Sequence, residues 1–172
     1  MDPISISALT ITPIYLALLG LMMVPITLRV GGYRVKNNVD IGDGGDETLI
    51  RLIRSQANFI ETVPLAAILI VVTELMGASD AWLHGLGAAL FGGRVLHYLG
   101  LSGLGPFLCR PVGMVATLGV YLVAGGWSLS AALACGSAAR PPLRRSPGPH
   151  ARSASAPTRA RFRPRAGRRT AA

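Results

Sequence analysis

The chain has 172 residues, 51% of them hydrophobic and only 15% charged, where a soluble domain carries about 25% charged residues. Its formal charge of +9 is unevenly placed: residues 1–135 hold seven basic groups (Arg29, Arg34, Lys36, Arg51, Arg54, Arg94, Arg110) against all eight acids, and residues 136–172 hold ten arginines and no acid. A basic soluble binder is excluded as a reading of the whole chain, and no nucleic acid is expected for the body, residues 1–135.

Pro3–Leu28 contains no charge. As a helix it is about 39 Å long, enough to cross a hydrocarbon core of roughly 30 Å. The acidic start Met1-Asp2 and the length of the run do not fit a signal peptide. The first span is therefore placed at about residues 4–28. Val30–Asp46 (VGGYRVKNNVDIGDGGD) is rich in Gly, Asn and Asp, which predicts a solvated loop. Asp43 and Asp46 lack the ligand spacing of a calcium loop. Asp46 or a neighbour is instead expected to cap the next helix, with Glu47 favouring its positive end. Further spans are predicted at about 47–75, 81–101 and 111–133. Gly85, Gly87, Gly92 and Gly93 on the third and Gly113, Gly119, Gly125 and Gly126 on the fourth suit close helix contact. The fold class expected is all-α: a four-transmembrane-helix bundle, multi-pass, in which each helix satisfies its own backbone.

The second span carries the chemistry. Its strongly polar residues Glu47, Arg51, Arg54, Asn58 and Glu61 are spaced 4, 3, 4, 3 and fall within roughly 80° on a helical wheel. Intramembrane charge is costly, about 2.5–3.5 kcal/mol per residue at a helix centre on insertion scales. The row therefore demands a partner helix, water or a polar ligand. Arginine suits carboxylates and glutamate accepts from an ammonium group, so a zwitterionic peptide-like ligand matches the order. An interhelical ion network, with Arg94 and Arg110 answering Glu61 and Glu74, matches it equally well.

The pattern Arg54-x-x-x-Asn58-x-x-Glu61, preceded by Glu47 and Arg51 and followed by Pro64, resembles the signature of the MAPEG family, the membrane-associated proteins in eicosanoid and glutathione metabolism. The resemblance extends to Arg94-Val-Leu-His97 in span three and Arg110 at the start of span four. It covers about residues 5–133 and points to a bacterial-type member. It implies a homotrimer of four-helix bundles in the bacterial inner (plasma) membrane, with glutathione as cofactor or co-substrate between subunits. It also implies a lipophilic small-molecule substrate dissolved in membrane lipid, no metal, and a role in detoxification or biosynthesis. Arg54, Asn58 and Glu61 resemble the glutathione-binding trio, Gln56 a further polar ligand and Arg51 a supporting arginine. Arg94 and His97 are similar to the helix-three pair of the prostaglandin-type members. Arg110 is similar to the arginine that holds the glutathione sulfur as a thiolate, and Arg29 to an additional thiol-side arginine.

That role for Arg110 has physical grounds. A free thiol has a pKa near 8.5, and a guanidinium together with a helix N-terminus favours the anion. One departure stands beside it. Leu101 lies nine residues before Arg110, where one branch of the family places a tyrosine, and Tyr98 is about 60° round the helix from that position.

The implied function is a membrane glutathione transferase or peroxidase. A small multidrug-type transporter with Glu61 or Glu74 relaying protons is the alternative, and a non-catalytic membrane protein of the same family is another. Cys109 and Cys135 are too far apart to be bridged, and His84 and His97 lie on nearly opposite helix faces, which excludes a metal pair. Residues 136–172 are dominated by Ala, Arg, Pro, Ser and Gly, a composition expected to be disordered. It resembles a GC-rich gene read out of frame. With four spans, this tail and the loop bearing Arg29, Arg34 and Lys36 fall on opposite sides, yet both carry the positive charge that marks the cytoplasm.

Overall fold

A computed structural model describes residues 9–138, with side chains to residue 136. The tail assignments and the first few residues of the predicted first span lie outside the described residues. Four helices follow in chain order: α1 (Thr12–Asn37), α2 (Glu47–Leu75), α3 (Asp80–Leu101) and α4 (Cys109–Ala138). No strand occurs among the described residues. Short connections make successive helices antiparallel, and α3 packs most extensively on α4.

Three of the helices, Thr12–Asn37, Glu47–Leu75 and the stretch Cys109–Gly136, are long and apolar enough to cross a membrane. The fourth, α3, has 22 residues, about 33 Å, but carries Asp80, His84, Arg94 and His97. Leu21, Leu28, Val115, Leu122, Leu129 and Leu133 are each more than 60% exposed. Such an apolar exterior is a liability in water and the correct surface in lipid. Inside, Leu19, Ile26, Phe59, Ala66, Ile70, Leu83, Leu90, Val120 and Ala124 form one core drawn from all four helices.

The first helix departs from expectation at both ends. It starts at Thr12, where Pro13 occupies the first turn, a position that needs no N–H. Glu74, near the end of α2, accepts the backbone N–H groups of Thr10, Ile11 and Thr12 at 2.7–2.8 Å. A side chain from another helix thus caps α1. The C-terminal end runs through Gly31-Gly32 to Asn37, into the stretch predicted to be loop. Packing prevails over glycine here, because Val30 and Tyr33 join Leu49 and Leu52 in a second small core. Asn38 stops the helix in the left-handed region at φ 54°, as an Asn does readily. The solvated loop is therefore residues 38–46, and Asp46 closes it by accepting from Thr48 N and Leu49 N.

Close helix approach is confined to a few glycines. A Cβ on Gly113 would collide with Gly93 O and with His97, and one on Gly100 would collide with the Arg110 backbone. Gly87 accommodates the Tyr15 ring. Gly85, Gly92, Gly119 and Gly126 face open space, so half of the glycines expected to mediate contact do not. The Gly93–Gly113 and Gly100–Arg110 crossings bring the end of α3 against the start of α4.

Candidate functional site

The antiparallel order gathers the start of α2, the end of α3 and the start of α4 at one end of the bundle. There they line an open cavity of about 620 Å³, within the roughly 300–1,000 Å³ of small-molecule sites. Helix α2 contributes Arg51, Arg54, Asn58 and Glu61, α3 contributes His97 and Leu101, and α4 contributes Arg110. The 4-3-4-3 spacing puts the α2 residues on one line facing the other two helices. Ile50, Phe107, Pro111 and Met114 give the cavity an apolar side.

Arg51, Arg54, Glu61 and Arg110 are exposed in the single chain, and none makes a side-chain hydrogen bond with another described residue. The interhelical ion network is therefore not formed. Arg94 turns to Asn58 and Thr62, and Glu74 is engaged by the start of α1 at the opposite end of the bundle. The cavity presents three guanidinium groups and one carboxylate, all available to a ligand.

His97 is only 5% exposed and forms part of the cavity wall. Arg94, 1% exposed, lies beneath the cavity rather than on its surface. Its Nη1 donates to Asn58 Oδ1 and Thr62 Oγ1, each at 2.8 Å, and its Nη2 to Gly113 O at 3.4 Å. Two other candidates point elsewhere. Gln56 Nε2 donates to Thr27 Oγ1 on α1 at 3.2 Å. Arg29 Nη1, from α1, donates to Tyr98 Oη on α3 at 3.4 Å, and neither Gln56 nor Arg29 lines the cavity.

At the start of α4 the amides of Cys109, Arg110 and Val112 are already bonded to Pro106 O, Phe107 O and Leu108 O, and Pro111 has no N–H. The helix terminus therefore offers few bare amides, and the Arg110 side chain is the main anion-attracting group there. Leu101 lines the same wall, with no hydroxyl at that point.

Sequence reasoning passed over the supports of the α2 row. Thr62 Oγ1 donates to Asn58 O at 2.6 Å, and the Tyr121 hydroxyl donates to Thr62 O. Thr62 follows Asn58 by one turn, which the sequence displays, but Tyr121 joins it only through tertiary packing. Among the described residues no group of three or more metal-ligating side chains comes together.

The protein-family comparison decides the assignment: the model of the MAPEG family matches residues 12–130. The chain belongs to the MAPEG family. It is also 33% identical over 107 residues to the inner membrane protein YecN of Escherichia coli strain K12, an alignment covering 62% of this chain and 81% of YecN. The same values hold for YecN of Escherichia coli O6:H1. This MAPEG chain is thus a multi-pass integral membrane protein of the bacterial inner membrane type, as the apolar exterior of its helices requires.

Proposed function

We propose that this MAPEG protein binds glutathione and transfers it to lipophilic electrophiles, or uses it to reduce lipophilic peroxides, through a thiolate stabilised by Arg110. One observation carries the reading. Arg51, Arg54, Asn58 and Glu61 on α2 and the sequence-distant Arg110 on α4 face one cavity with no hydrogen-bonding partner of their own for any of the charged groups.

The charges suit the ligand. Glutathione has two carboxylates, one ammonium and a thiol, and as the thiolate its net charge is −2. Three arginines and one glutamate supply the complementary balance. Arginine forks take carboxylates in bidentate fashion, and Glu61 accepts from the ammonium. The sulfur would lie by Arg110, whose charge lowers the cost of losing the thiol proton. In the transfer step the sulfur forms a bond to an electrophilic carbon while the leaving group departs with its electron pair. The thiol proton passes to solvent. The apolar side formed by Leu101, Phe107, Pro111 and Met114 suits a substrate arriving from the bilayer.

An exposed row of Arg51, Arg54 and Glu61 does not belong against lipid. A neighbouring copy covering it fits the homotrimer that the family resemblance implies. The transporter alternative needs a carboxylate free to carry protons for cations. Glu74 is taken up by the start of α1, and Glu61 shares its cavity with three arginines.

The test is isothermal calorimetry of glutathione on the full-length protein in detergent. Saturable binding is expected, weakened at least tenfold in Arg54→Ala and in Glu61→Ala. A wild-type protein that takes up no glutathione would overturn the proposal. Given binding, the ultraviolet absorbance of the glutathione thiolate should disappear in Arg110→Leu, and an undiminished band would remove Arg110 from its role. A thiolate that forms but consumes no electrophile or peroxide would favour the non-catalytic alternative.

A further inference from the structure

Arg94 is a buried guanidinium whose hydrogen bonds go to an amide, a hydroxyl and a backbone carbonyl rather than to a carboxylate. Its Nε has no partner among the described residues. Such a costly group calls for a reason, and the geometry around Asn58 provides one. Guanidinium has donors only, so it selects the oxygen end of an amide. With Asn58 Oδ1 held by Arg94 at 2.8 Å, the Asn58 –NH₂ is turned the other way, and Asn58 lines the cavity.

We propose that Arg94 is a positioning residue: it locks the Asn58 amide with its –NH₂ toward the cavity, so that the site offers two N–H donors to a ligand carboxylate between Arg54 and Glu61. The surroundings hold Arg94 in turn. Thr62 Oγ1 receives its second bond from Nη1 and is tied to Asn58 O. Gly113 O is within reach of Nη2 because α3 and α4 cross there without a side chain between them. A free asparagine would populate both orientations, and in one of them a carbonyl oxygen would oppose the carboxylate. The choice of glutathione as ligand rests on the function proposed above. The orientation of the amide does not.

The experiment is a double-mutant cycle on glutathione affinity in the full-length protein, together with NMR of protein labelled with ¹³C and ¹⁵N at asparagine. The chain has three asparagines, Asn37, Asn38 and Asn58, so the Asn58 side-chain signals are assignable by their loss in Asn58→Ala. Arg94→Met and Asn58→Ala are each expected to weaken binding about tenfold, as for one hydrogen bond to a charged group. Their combination should be no weaker than Asn58→Ala alone. Arg94→Met combined with Glu61→Ala should multiply. The Asn58 side-chain carbonyl shift should move in Arg94→Met, and Arg94→Lys, which keeps a cationic donor, should recover part of both changes.

Asn58→Asp supplies an arm free of folding risk at Arg94. It keeps an acceptor for Arg94 but has no donor for the ligand, so glutathione binding should fall at least tenfold with thermal stability retained. Multiplying losses in the Arg94–Asn58 cycle would overturn the proposal, as would full binding by Asn58→Asp or an unmoved Asn58 signal in Arg94→Met. Absence of glutathione binding in the wild type would instead remove the glutathione reading, with the Asn58 signal still deciding the role of Arg94.

Discussion

The two ends of the bundle treat their charges in opposite ways. At the end where α1 begins, Glu74 is 7% exposed and fully occupied, its two oxygens taking three backbone N–H groups and sharing the Thr10 hydroxyl. At the other end, Arg51, Arg54, Glu61 and Arg110 line a cavity, and their side chains make no hydrogen bond with another described residue. Both sets lie on apolar helices where an ionised group is expensive. The first set offsets that cost by tying one helix to another. The second leaves it to be offset from outside the described chain. On the function proposed above, the contrast separates structural charge from ligand-binding charge, and it predicts that substitutions at the two ends change different measurements.

The largest effect on stability is expected at Glu74. Glu74→Ala leaves the amides of Thr10, Ile11 and Thr12 without their acceptor, and Ile11 and Thr12 are buried. A loss on the order of 3 kcal/mol follows from the cost of unpaired buried donors, read as a lower midpoint of thermal unfolding in detergent. Glu74→Gln keeps one acceptor oxygen and should lose less. In both variants the remaining protein should bind glutathione within about twofold of wild type. A large loss of affinity in folded Glu74→Gln would break the division between the two ends.

A middle effect sharpens the comparison at the crossing that builds the cavity. Gly113→Ala places a methyl against Gly93 O and the His97 backbone, so α3 and α4 must part. Overpacking of this kind costs about 1–3 kcal/mol, and here it should weaken glutathione binding as well, because His97, Arg94 and Arg110 are positioned by that crossing. Gly119→Ala, two turns along the same helix and facing open space, should stay within about 0.5 kcal/mol of wild type with binding unchanged. Equal behaviour of the two variants would show that the crossing does not set the cavity.

Where the sequence was readable, the reason is local. The start of α2 was visible because an Asp immediately before a Glu and an apolar run is a helix start whatever the tertiary structure. The row Arg51, Arg54, Asn58, Glu61 was visible because helical spacing alone aligns it. The end of α1 was not, since Gly31-Gly32 and the polar residues after them argue for a loop. Only the contacts of Val30 and Tyr33 with α2 keep that stretch helical. Gln56, which the family resemblance implies as a polar ligand, breaks the 4-3-4-3 rhythm, and its amide meets Thr27 on α1. Arg94 and Glu74 were both noticed as charges, but their partners are an amide on another helix and the start of α1. No spacing within one segment reveals such pairings.

The smallest effect belongs to the loop between α1 and α2, near the cavity end but outside the membrane spans. The Leu49 backbone N–H, the Tyr33 hydroxyl and the Thr48 N–H hold the Asp46 carboxyl below its ordinary value of 3.8. A folded-state pKa below the unfolded one means that the ionised carboxylate stabilises the fold above pH 3.8, and that this contribution is lost as pH falls through the lower folded-state value. Asp46→Ala should therefore lower the unfolding midpoint at neutral pH by less than Glu74→Ala does. The difference between wild type and variant should shrink as the pH is taken below 3.8. Because Asp46 caps the helix that bears Arg51 and Arg54, its loss frays the first turn next to the cavity. A small drop in glutathione affinity is expected with it, in contrast to the intact affinity of Glu74→Gln. An Asp46→Ala protein whose stability deficit is the same at acid and neutral pH would show that the cap acts through something other than the carboxylate charge.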